Sequence, residues 1–153
     1  MKIVCKESTI SDLEKRWDYL IAENSGDNRW GIWKKQSIND NKSGKVKTFF
    51  ALLGKEIIGE VTLIFEKSEL NALRVNKEYE GKGVASELVK FVENWAIGRG
   101  IKYLIIGVEP CEVRNMQIYF HWGYTDFVES KHETLINEEI LVLYYKKDLR
   151  RNK

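Results

Sequence analysis

Apolar and polar positions along this chain follow two periods, and the switches between them divide it into elements. Residues 2–5 make a short strand. Ile10, Leu13, Trp17, Leu20 and Ile21 then recur at helical spacing behind the capping side chains of residues 8–12. This predicts an amphipathic helix over about 10–22. The polar run 24–28 breaks it, and residues 24–47, with Trp30 and Trp33 among polar neighbours, read as a loop holding at most one short helix. Strands are predicted at 48–53 and 57–65 around a turn at Gly54, an antiparallel hairpin, with a third at 70–75. From Val84 the period is helical again: Val84, Leu88, Phe91, Val92, Trp95 and Ala96 form one stripe, closed by Gly98 and Gly100. The nearly unbroken apolar run 103–108 suits a strand covered on both faces. A helix at 113–122 ends at Gly123, strands at 124–128 and 139–146 close the chain, and the basic tail 146–153 reads as a solvated, frayed end.

The order β, α, loop, β, β, β, α, β, α, β, β is mixed α/β, with hairpins in the first half and one β-α-β crossover in the second. Composition narrows the functional classes. With 153 residues, 43% apolar and 31% charged, the chain is expected to be one domain, 1–153, with a real core. Lys and Arg total 25 against 23 Asp and Glu, so no general positive field exists to grasp nucleic acid. His121 and His132 are the only histidines, and Cys5 and Cys111 lack zinc-ligand spacing, so no metal is expected. Each cysteine is read as a buried or partly buried free thiol. The apolar runs fall far short of the ~20 residues of a membrane span. Lys6, Glu7 and Asp12 interrupt any apolar leader core, so a cytoplasmic protein without membrane attachment is expected.

The chemistry concentrates in residues 73–86, Leu-Arg-Val-Asn-Lys-Glu-Tyr-Glu-Gly-Lys-Gly-Val-Ala-Ser. A strand enters this segment and a helix leaves it. Gly81 and Gly83 permit positive φ and close backbone approach to a ligand. The amides that open a helix lack internal partners and carry the positive end of its dipole, which makes them a phosphate seat. A dinucleotide-binding fingerprint fits poorly, because the glycines stand too far after the strand and too few β-α-β units remain. A Walker A loop fails, since Asn76 stands where its first glycine belongs and Gly83 where its hydroxyl residue belongs. A glycine-rich turn without a ligand is the plain alternative.

With its surroundings, the segment resembles the GNAT superfamily of acyl-CoA-dependent N-acetyltransferases. The family signature of Arg or Gln, two residues, Gly, one residue, then Gly or Ala falls on residues 80–85. Residues 75–79 and 86–89 also look like the family, as does the later stretch from Val108-Glu109-Pro110 to Tyr119-Phe120-His121-Trp122-Gly123-Tyr124. The resemblance covers about 57–128. Glu80 departs from it where Arg or Gln is usual, and Glu112 where an Asn often precedes the Tyr by seven residues.

The resemblance implies a mostly antiparallel twisted sheet with flanking helices, and direct transfer of an acetyl group from acetyl-CoA to an amine without an acyl-enzyme. It implies that the backbone after Val75 meets the pantetheine arm and that an amide near Val75 polarises the thioester. Gly81, Lys82, Gly83, Val84, Ala85 and Ser86 would contact the pyrophosphate, Lys82 adding charge. Tyr119 falls on the family's general-acid position. Glu60 is the first choice for the general base, with Glu109 and Glu112 as rivals. A small-molecule amine is the expected acceptor. A protein N-terminus or lysine, a non-catalytic acyl-CoA-binding module, and a homodimer all stay open at this point.

Overall fold

The computed structural model describes residues 1–149. The chain runs β1 (Ile3–Glu7), α1 (Ile10–Glu23), α2 (Arg29–Ser43), β2 (Val46–Leu53), β3 (Glu56–Ile64), β4 (Glu69–Val75), α3 (Val84–Gly98), β5 (Tyr103–Val108), α4 (Val113–His121), β6 (Asp126–Leu135) and β7 (Glu138–Asp148), with one 3-10 turn at Lys77–Tyr79. The strands form one seven-stranded sheet in the order β1-β2-β3-β4-β5-β7-β6. Only β4 and β5 are parallel, joined through α3; the other neighbours are antiparallel. This is the mixed architecture expected from the order of elements.

Helix α1 begins where Thr9 Oγ1 accepts the Asp12 amide at 3.1 Å. Its buried stripe, Leu13, Trp17 and Leu20, packs with Ile38 of α2 on Phe50 of β2. Register aligns Phe50 with Glu60 of β3 and Arg74 of β4, so these three residues share the sheet face beneath α1 and α2. On the opposite face Val84, Leu88, Val89, Val92 and Ala96 of α3 pack with Phe49, Val61, Leu63, Leu104 and Ile106 in the main core. Helix α4 lies on that same face, with Phe120 edge-on to Tyr145 of β7, the ring centroids 4.9 Å apart. Gly59 lets β3 run close beneath α3, because a Cβ there would stand 2.9 Å from the Arg74 carbonyl oxygen and 3.3 Å from Val84 and Leu88.

Five expectations are corrected. Residues 29–43 are not a loop but helix α2. Its apolar stripe is thin because a few tertiary anchors hold it: Ile38 in the core, Trp30 against Trp17, and Asn41, whose Oδ1 accepts the Thr48 amide at 3.0 Å. Strand β5 is covered on one face only; Leu104, Ile106 and Val108 are buried, whereas Ile105 and Gly107 are half-buried and Gly107 lines a cleft. The closing strands form a longer hairpin, turned at Asn137 with φ 66. β6 is an exposed edge strand rich in charge, which hides it from a hydrophobic pattern. The tail is not frayed from residue 146: β7 reaches Asp148, Leu149 is buried, and its amide donates to the Lys102 carbonyl at 2.8 Å. The rest of the predicted tail, 150–153, lies outside the described residues. Cys5 is half-buried as expected, but Cys111 is exposed. No helix among the described residues is long and apolar enough to cross a membrane.

Candidate active site

The site begins with a defect in the sheet. β4 and β5 pair only at Glu69–Ile105 and Leu70–Ile106. Beyond Leu70, β4 bends away: its register with β3 slips between Glu60 and Thr62, and Ala72 takes φ 54 with its amide bound to Asn71 Oδ1 at 2.7 Å. A bulge bends the strand that carries it. A left-handed non-glycine residue costs about 1–2 kcal/mol. The strands therefore splay, leaving residues 71–75 without partners on the β5 side. The Asn76 amide donates to Ile58 of β3 at 2.8 Å, so by strand alternation the Val75 amide points the other way, into the gap.

Two clefts meet at this gap. The first, about 1100 Å³, runs between the 76–86 loop and α4 and reaches Arg16, Tyr19 and Trp30. Val75, Gly81, Gly83, Val84, Ala85 and Ser86 line it as expected, whereas Lys82 does not. Gly81 and Gly83 have φ of 74 and 85, and a Cβ on either would meet nothing within 4 Å, so backbone conformation rather than protein packing selects glycine here. Gly83 is the N-cap of α3, and no side chain caps the helix. The first helical hydrogen bond is that of the Glu87 amide to the Gly83 carbonyl, leaving the preceding amides open at the positive end of the dipole. Arg16, Arg74, Lys77 and Arg114 outnumber Glu23 and Glu80 in the lining. Glu80 is exposed, so its charge is largely screened by water. Backbone amides and excess positive charge suit a diphosphate.

The second cleft, about 460 Å³, lies on the sheet face of α1 and α2 and is walled by the β6–β7 hairpin. Its charges are inverted: Glu69, Glu109, Glu112 and Glu133 face Lys67 and Arg74. Gly107 forms its floor, where a Cβ would stand 2.8 Å from both Val142 and Tyr144 side chains. Burial, opposed in part by Lys67 and reinforced by Glu133, raises the pKa of Glu69 above the usual carboxylate range. Leu73, Arg74, Asn115 and Tyr119 line both clefts and mark the junction.

Tyr119 thus stands where both expected ligands would meet. Burial, and then the charge of Glu112, raises its pKa, so the phenol stays protonated at neutral pH. Glu112 is held at the mouth of α4 by the Glu109 amide at 2.9 Å and Asn115 Nδ2 at 3.3 Å. Glu109, just after β5, lines the second cleft together with Leu73.

Glu60 is a different case. It is 3% exposed, lines neither cleft, and spends both oxygens on guanidinium groups, Oε1 on Arg16 Nε at 2.5 Å and Oε2 on Arg74 Nε at 2.6 Å. Buried under two guanidinium groups and outside both clefts, Glu60 is placed to hold Arg16 and Arg74 rather than to act as the expected base. Trp30 both packs and lines the first cleft, its ring 6.2 Å from that of Trp17, whereas Trp33 packs on its neighbours.

Sequence reasoning missed Asn115, Ile118 and Trp122, which line the first cleft beside Tyr119. Their spacing of i, i+3, i+4 and i+7 is a readable helical face. Arg74 carried no such signal, since a charged residue on a strand reads as a solvated one.

The Acetyltransferase (GNAT) family profile matches residues 10–124, and the chain belongs to that family, whose reaction is acetyl transfer from acetyl-CoA. Among known proteins the chain is similar to streptothricin acetyltransferase of Escherichia coli, 23% identical over 121 residues that span 74% of this chain and 70% of that protein. Among solved structures it is similar to the ribosomal-protein-S18-alanine N-acetyltransferase of Escherichia coli, with TM-score 0.75 and 12% identity over 99% of this chain and 97% of that one. It is also similar to the PaiA N-acetyltransferase of Thermoplasma acidophilum in complex with coenzyme A, with TM-score 0.63 and 18% identity over 97% and 99%. These structural likenesses show a shared fold.

Proposed function

We propose that this protein transfers the acetyl group of acetyl-CoA directly to a primary amine of a small-molecule acceptor, without an acyl-enzyme. The observation that carries the reading is the meeting of a basic cleft and an acidic cleft at Tyr119, across the β4–β5 splay. The basic cleft fits a diphosphate and the acidic one fits an ammonium group.

Acetyl-CoA supplies an activated thioester as co-substrate. The amides from Gly81 to Ser86 bind and orient its diphosphate. The Val75 amide faces the thioester carbonyl and stabilises the negative charge that grows there. A lysine-like amine must lose a proton before it attacks, at a cost of ~4.6 kcal/mol at pH 7. Glu109, which lines the acidic cleft, accepts that proton directly or through water. The C–N bond forms, the C–S bond breaks, and Tyr119 gives its proton to the leaving thiolate, then recovers one from solvent. Its raised pKa keeps the donor loaded and makes it a weaker acid, a trade that suits a thiolate of pKa ~8.5 only at short range.

The test is CoA release with a panel of amines, amino acids and N-terminal or lysine peptides, together with amide NMR of the CoA-titrated protein. Release with small amines and shifts over Gly81 to Ser86 are expected. Release with peptides alone would move the reading to a protein acetyltransferase. CoA binding with no release on any acceptor would leave a non-catalytic module.

A further inference from the structure

The buried charge cluster beside the junction does not balance. One carboxylate, Glu60, faces two guanidinium groups, Arg16 and Arg74. Arg16 is 3% exposed and donates from Nε to Glu60 and from Nη1 to the Ile57 carbonyl at 3.1 Å. Arg16 and Glu60 therefore already form a neutral, buried pair. Arg74 brings the excess positive charge, and its side chain is 28% exposed where it lines both clefts. It spends only Nε on Glu60; among the described residues nothing accepts a hydrogen bond from either Nη. No second carboxylate of the described residues pairs with it.

This guanidinium is also held still. Its carbon lies 5.2 Å from the Trp17 ring centre and 5.3 Å from that of Trp30, while Glu60 pins the third side. A planar fork fixed in this way has little conformational freedom left to lose when it binds, which favours a bidentate anion. Arg74 shares the first cleft with the seat for the CoA diphosphate, but α3, which carries that seat, packs on the opposite face of the sheet, and Arg74 also lines the second, acidic cleft. Arg74 instead sits next to Val75, at the place where the acceptor and the thioester meet.

We infer that Arg74 is the specificity-determining residue for the acceptor and that it receives a carboxylate carried by the same molecule whose amine is acetylated. The substrate class is then amino-acid-like: the ammonium end is drawn by Glu109 and its acidic neighbours, and the carboxylate end is clamped by the free Nη groups of Arg74. Glu60 and Arg16 are positioning residues that act through Arg74. This inference rests on the acyl-transfer reading above.

Matched pairs test it: lysine with cadaverine, phenylalanine with phenethylamine, serine with ethanolamine. Each pair keeps its amine and differs by a carboxylate. In the wild-type protein kcat/KM is expected to be about tenfold or more higher for the carboxylate member of at least one pair. That preference is expected to vanish in Arg74→Met and to survive in part in Arg74→Lys. Arg74→Met leaves the neutral Arg16–Glu60 pair in place, so folding is expected to hold, and the Lys variant reads the same question with the charge retained. In parallel, tryptophan fluorescence of the CoA-loaded protein is expected to respond to the carboxylate member and not to its decarboxylated partner, and to lose that difference in Arg74→Met. Equal rates and equal fluorescence responses within every pair overturn the inference, as does a carboxylate preference undiminished in Arg74→Met. If CoA still shifts the amides of Gly81 to Ser86, the transferase reading survives that result. Unmoved amides would instead remove the transferase reading itself.

Discussion

Gly83→Ala separates backbone conformation from packing at the phosphate seat. A methyl group at residue 83 meets no protein atom within 4 Å, so no core contact is disturbed. The perturbation acts through φ, which is 85 in the structure. If alanine keeps that angle, the left-handed conformation costs about 1–2 kcal/mol. For a domain of this size, that lowers Tm by roughly 2–8 °C. If alanine relaxes the angle, the N-cap turns and the open amides of α3 lose their common aim. Losing one hydrogen bond to a charged group costs about 1.5–3 kcal/mol, a roughly 10- to 150-fold weaker Kd for CoA. The added methyl also stands in the space a diphosphate would approach. The assay is calorimetric titration with CoA alongside thermal melts, with Gly31→Ala as control. Gly31 also has open space around it but lies in α2 without a positive φ, so alanine there is expected to leave CoA affinity alone and to raise stability by roughly 0.5–1 kcal/mol. A folded Gly83→Ala protein whose Kd for CoA stays within about twofold of wild type would refute the reasoning, since the affinity loss is derived from charged hydrogen bonds.

Other outcomes follow from the same geometry. Tyr119→Phe should lower turnover by about 10²–10⁴-fold and leave the KM for acetyl-CoA within a few-fold. Because the Tyr119 pKa is raised, its acid form persists up to and beyond the ordinary ~10, so no falling limb of kcat below that pH should disappear in the Phe variant; a limb that does disappear would contradict the assignment. Glu60→Gln strips the counter-charge from Arg16 and Arg74 together and should destabilise the protein by about 3–5 kcal/mol in urea unfolding. A loss near zero would mean that the buried triad does not form. Burial, and then Glu87, pushes the Cys5 thiol up to about 11, whereas Cys111 is exposed. Alkylation of the folded protein at pH 8, read by peptide mass spectrometry, should therefore label Cys111 well before Cys5; equal labelling would contradict the packing of Cys5 on the α3 core.

Much of this architecture could be read from local pattern. The stripes of α1 and α3, the β2–β3 hairpin and the glycine-bearing turn before Val84 are each written within a few residues, because side-chain period and backbone freedom are local properties. The family motif places Tyr119 on a helix after β5, and the structure puts that helix beside the gap. Helix α2 and strand β6 were not legible, since the first is held by isolated anchors such as Asn41 on Thr48 and the second is an exposed, charged edge. Their stability comes from partners distant in the sheet, which no window of sequence contains.

The chain alone therefore determined most of its elements, its class of fold and the glycine-bearing loop whose helix opens with bare amides. Tertiary structure decided which charges are locked together and which line the clefts. Glu60 is separated from Arg16 by 44 positions and from Arg74 by 14, and only the stacking of α1 over the β3–β4 register brings the three together. Coulomb energy depends on distance and burial rather than on order along the chain. That is why a carboxylate that looked free to take a proton is a locked anchor, and why an unremarked arginine lines both clefts.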